Sequence, residues 1–183
     1  MSWLHTLLIL AASYVAVFWE AAFPGIRRLL GAQIDLLPPL MVYAALRSDL
    51  ATVSLLAVLG GLWFDSLSAT PLGVSVLPLF LAGVTIFATR ELILREQPFA
   101  HLVLGFAASV AVPVLTLILL LTETKALLLG WGTVWQLIVM AAGGAAATPI
   151  SFLFFEWLLR ILTHARPAES SFRPDREIRR GRL

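Results

Sequence analysis

Asp65 is the side chain best placed to do chemistry in this chain. It stands in Gly61-Leu62-Trp63-Phe64-Asp65-Ser66-Leu67-Ser68-Ala69-Thr70-Pro71-Leu72-Gly73, which joins two long apolar runs. That stretch combines a carboxylate, three hydroxyls and a helix-starting proline. Acid–base or metal chemistry would need a second acid, base or ligand beside the carboxylate. None lies nearby in sequence, so no catalytic role is expected. Two readings of Asp65 stay open. In the first it accepts hydrogen bonds from backbone or hydroxyls in an interfacial turn. Ser68 or Thr70 then caps the next helix, with Pro71 at its first position, where a missing N–H costs nothing. In the second it meets a partner protein on the outer side of a membrane.

Other polar groups are sparser. Glu156 and Arg160 are four residues apart with the acid N-terminal, the favourable order for an ion pair on one helix. That pair is expected to anchor a helix at an interface or to meet a cytoplasmic partner. His5, His101 and His164 share no ligand spacing, and with no cysteine neither a metal site nor a disulfide is expected. No cofactor is expected either.

The elements that position these groups follow from composition. The chain has 183 residues, 60% of them hydrophobic and 13% charged, with a mean hydropathy of +0.92. No soluble core of this length hides so much apolar surface. An all-α, polytopic membrane protein is expected. Six apolar segments can be drawn, about 3–23, 34–46, 50–64, 72–89, 100–121 and 133–162. A straight span needs roughly 20 residues, so 34–46, with Pro38-Pro39, is the shortest fit. The last segment is long and carries Gly143, Gly144 and Pro149, natural kink points. The first has no basic flank and no small-x-small cleavage site before Glu20, which reads as a retained span. Small residues such as Ala12, Ala16, Gly143, Gly144 and Ala147 let helices approach closely in lipid.

Mid-depth positions of the six segments carry no Asp, Glu, Lys, Arg or His. Proton relays, ion-coupled transport and intramembrane proteolysis need such groups at depth. Six spans with both termini inside place ten basic residues inward, Arg47, Arg90, Arg95 and the seven arginines from Arg160 onward. Arg27, Arg28 and Lys125 remain outside, a strong positive-inside bias. Residues 163–183 read as a flexible basic cytoplasmic tail attracted to anionic lipid. Glu169, Asp175 and Glu177 interrupt its arginines, and no aromatic platform accompanies them, which argues against nucleic acid.

Gly61, Leu62, Asp65, Leu67, Ser68, Pro71, Leu72 and Gly73 follow the pattern Gly-Leu-x-x-Asp, then Leu-Ser, then Pro-Leu-Gly. In this the chain resembles the MreD family of bacterial rod-shape-determining membrane proteins. Pro38-Pro39 is similar to the proline-bearing second span of that family. Many members have Gly after the Ser where this chain has Ala69, so a left-handed backbone there would be strained. The resemblance implies a non-enzymatic scaffold of the cell-elongation complex in the bacterial cytoplasmic membrane. It implies direct binding to MreC, alongside RodA, a class B penicillin-binding transpeptidase and MreB. It also implies a bundle like the substrate-binding subunits of energy-coupling-factor transporters. From that kinship comes an alternative function, capture of a vitamin, for which Ala12 and Ala16 resemble the small-residue docking face. The outer loops offer such a ligand mainly Gln33, Asp35, Asp65 and Trp131, fewer convergent groups than a pocket needs.

Overall fold

The computed structural model describes residues 2–22, 25, 31–68, 71–91, 98–123 and 130–164. Within them every regular element is a helix: α1 (Ser2–Ala22), α2 (Leu37–Arg47), α3 (Leu50–Leu67), α4 (Val76–Thr89), α5 (Pro98–Glu123) and α6 (Trp131–His164). The basic tail from residue 165, together with Arg27, Arg28, Ala69, Thr70, Arg95 and Lys125, lies outside the described residues. Trp3–Ala22, Leu50–Leu67, Phe99–Thr122 and Trp131–Ile161 are long and apolar enough to cross a membrane. Large apolar side chains stay on the outside of the bundle, among them Leu7, Phe18, Leu55, Phe106, Ile118 and Leu153. Such coverage suits a lipid-facing surface and would be a liability in water.

The short proline-bearing segment lies at the centre of this arrangement. Every residue of α2 from Leu37 to Leu46 is buried, and α2 touches all five other helices. Pro38 and Pro39 fall in its first turn, where their missing N–H groups leave no gap in the ladder. Around α2, the helices α1, α3, α4, α5 and α6 pack each on the next. The ring stays open between α6 and α1, which make at most marginal contact with each other.

Two helix boundaries differ from the sequence reading. Helix α3 runs on to Leu67, and α4 begins at Val76 rather than Leu72. Pro71 therefore stands before a turn and not at the first position of a helix. The helix α6 is continuous over 34 residues with Pro149 inside it.

Small residues set how closely the helices pack. Gly144 on α6 faces Ser109 on α5, and Gly105 on α5 faces Thr148 on α6, with no room for a Cβ at either glycine. A Cβ on Gly143 would lie 2.7 Å from Ile34. Ala12 and Ala16 are partly buried against the core that contains Ile9, Leu40 and Val53. Ala147 is half-buried on α6.

Candidate functional site

Polar residues collect at the two ends of the bundle, where the helices start and stop. One end holds Asp65, Glu20, Asp35 and Gln136; the other holds His5, Tyr43, Arg47 and Glu156.

At the first end Asp65 is only 1% exposed. Its Oδ2 accepts hydrogen bonds from the backbone N–H groups of Gly73 (2.8 Å) and Ser75 (3.1 Å). The carboxylate thus holds the turn that leads into α4, and its charge lies at that helix's positive end. Gly73 has φ +92°, a conformation that any side chain would strain. Gly61 lets α3 approach this turn: a Cβ there would sit 2.9 Å from the Cα of Val76. Ser68 closes α3 rather than opening α4. Its N–H donates to the carbonyl of Phe64 at 3.0 Å, and its hydroxyl donates to that of Asp65 at 3.5 Å. Of the two residues expected to cap α4, Ser68 is displaced because the carboxylate of Asp65 already serves the turn. Thr70 lies outside the described residues.

Beside this turn runs residues 33–36, a buried to half-buried stretch without helix. Backbone groups outside a helix need partners when water is excluded. Three side chains supply them here. Gln136 on α6 accepts from the N–H of Gln33 (3.3 Å) and donates to its carbonyl (3.1 Å). Glu20 on α1 accepts from the N–H of Leu36 at 2.7 Å, and Asp35 from that of Leu37 at 2.9 Å. The second oxygen of Glu20 is buried without a hydrogen bond. A cavity of about 260 Å³ opens beside Asp35, walled largely by residues of α5 and α6, the aliphatic ones interspersed with Thr116, Thr133 and Gln136.

The opposite end is built from side chains bonded to side chains. His5 Nε2 is 3.0 Å from the Tyr43 hydroxyl, and His5 Nδ1 is 3.3 Å from the Ser48 hydroxyl. The Tyr43 ring stacks on Phe155 with centroids 4.3 Å apart and meets Phe152 edge-on. Thr6 and Thr52 hydroxyls bond at 2.8 Å. An Arg90 N–H donates to the Ser48 carbonyl at 3.2 Å. His101 stacks on Phe152 at 3.8 Å, apart from His5.

Glu156 does not take the partner expected for it. Its Oε1 accepts from Arg47 on α2 at 3.3 Å, so the ion pair ties two helices and not the consecutive turns that carry Glu156 and Arg160. Both side chains are about half exposed, 42% and 46%, where such a pair contributes at most about 1 kcal/mol. These groups line a cavity of about 480 Å³ between the start of α1, the α2–α3 corner and α6.

Sequence reading found the Asp65 turn because its polar residues are consecutive. It passed over the second end, whose members lie in three separate segments. A single glutamine in an apolar run, Gln136, is the one sequence signal of the unwound stretch that went unused. Searches of family models, of curated proteins and of solved structures found no match to this chain.

Proposed function

We propose that this chain is a non-enzymatic scaffold of the bacterial cell-elongation complex, of the MreD type, binding MreC within the cytoplasmic membrane. One observation carries the reading. The residues that follow the family pattern are spent on one turn: Gly61 for close approach, Asp65 as acceptor, Ser68 as the end of α3, Gly73 for its positive φ. A signature consumed by architecture fits a protein whose work is to hold others. The cavity beside Asp35 has Phe64 as its one aromatic ring among the described residues, and its Asp35 and Gln136 are already bonded to backbone, which leaves little of the convergent lining that vitamin capture requires.

The proposal includes six spans with both termini in the cytoplasm. Helix α2, at 11 residues, rises only about 16 Å. The non-helical stretch before it adds up to about 3.3 Å per residue, which brings the two near the roughly 30 Å of a hydrocarbon core. On this reading the basic tail meets anionic lipid at the inner leaflet. RodA, the class B transpeptidase and MreB join through the larger complex.

The test is depletion of the protein in its own rod-shaped host, with affinity capture of the tagged chain. Rounded cells and co-purified MreC are the expected outcome; rods of normal shape after depletion would sink the proposal.

A further inference from the structure

The cavity at the Arg47 end has walls of a particular chemistry. Arg47 supplies a cation, and among the described residues its guanidinium bonds only the Glu156 carboxylate, which leaves N–H groups for a second anion. Glu156 and Asp49 add two carboxylates to its lining. Asp49 makes no side-chain cap to α3. His5, held between Tyr43 and Ser48, also lines it.

The position of this cavity decides what can reach it. It lies at the seam where α1 and α6 fail to close the ring, with Leu4 and Leu159 on its sides. Trp3 and Trp157, next in the chain to the lining residues Leu4 and Glu156, are exposed by 81% and 59%. Exposed tryptophans at the ends of apolar helices mark the headgroup level of a bilayer. A side opening at that level admits a lipid from the membrane.

We propose that this cavity binds the headgroup of a phospholipid carrying a primary ammonium, such as phosphatidylethanolamine. The phosphate takes the free N–H groups of Arg47, the planar donor suited to it. The ammonium takes Glu156 and Asp49. The first acyl carbons run out past Leu4 and Leu159 along the seam. An anionic lipid without the ammonium meets the same two carboxylates unbalanced, and so binds less well. This site is independent of the scaffold reading.

The experiment uses the full chain in non-ionic detergent. Phosphatidylethanolamine and phosphatidylglycerol of identical acyl chains are titrated together, and bound lipid is read by native mass spectrometry. The wild type is expected to retain roughly fivefold more of the ethanolamine lipid, the ratio that one half-exposed ion pair supplies. The combined change Glu156→Gln and Asp49→Asn is expected to bring that ratio to near one. Arg47→Gln is expected to weaken both lipids. Equal retention by the wild type overturns the proposal, as does a preference that survives loss of both carboxylates. Free phosphoethanolamine forms the remaining arm. It competes only weakly if the ligand enters from the membrane, and binding as tight as the lipid's refutes a membrane source. Should Arg47→Gln fail to fold, the wild-type ratio and the carboxylate variants still decide.

Discussion

The two ends of the bundle use similar residues for different ends. At the Asp65 end, carboxylates and an amide are spent on backbone N–H and C=O groups: Gly73, Ser75, Gln33, Leu36 and Leu37. At the Arg47 end, side chains bond mostly side chains, the ion pair is half exposed, and the cavity is about 480 Å³ against about 260 Å³ at the Asp65 end. In a bundle of apolar helices every break in a helix leaves polar backbone that water does not reach. Acidic residues near such a break are therefore committed to the fold. Those at the other end, where α2 and α3 meet at a short corner, keep capacity for a ligand.

This contrast is broken most directly by Asp65→Ala. The change strands two N–H groups, of which that of Ser75 belongs to a buried residue, at about 1–3 kcal/mol each. Thermal unfolding in detergent is expected to show the largest loss of any single change here, and a melt within a degree of wild type would count against the structural role. Gln136→Leu comes next. It leaves the N–H and carbonyl of Gln33 unpaired, a cost of about 1–3 kcal/mol, and hydrogen exchange at Gln33 should rise while exchange in α3 stays unchanged.

The same contrast explains what the sequence made legible. The Asp65 turn was readable because its acceptor and its donors lie within ten positions of one another, in a single break between apolar runs. Its details were not. The buried carboxylate of Asp65 displaced Ser68 and Pro71 from the roles their types suggested, since local capping preferences yield to an acceptor already in place. All-helical architecture and the long apolar helices followed from hydropathy alone. The central position of α2 did not, because a short apolar run with two prolines reads equally well as a weak span. The grouping of His5, Tyr43, Ser48 and Arg47 escaped notice because only the packing of α1 against α2 brings them together. Glu156 was noticed and given the wrong partner: the neighbour four residues along is visible in sequence, whereas the neighbour on another helix is not.

Smaller effects are expected at the open end. Tyr43→Phe keeps the stack on Phe155 and loses only the bond to His5, about 0.5–1.5 kcal/mol, measurable as a modest fall in melting temperature. Glu156→Gln should change stability by no more than about 1 kcal/mol, the range for exposed pairs. A drop as large as that of Asp65→Ala would show that both ends are structural and erase the distinction between them.

The central claim is that the Asp65 stretch shapes the fold of a scaffold and does no chemistry. Cell shape in the depleted host, complemented with Asp65→Asn at wild-type membrane levels, tests it most directly. Asparagine keeps an oxygen for the N–H groups of Gly73 and Ser75 and removes the charge. The account predicts rods; spherical cells with a folded, membrane-inserted variant would contradict it.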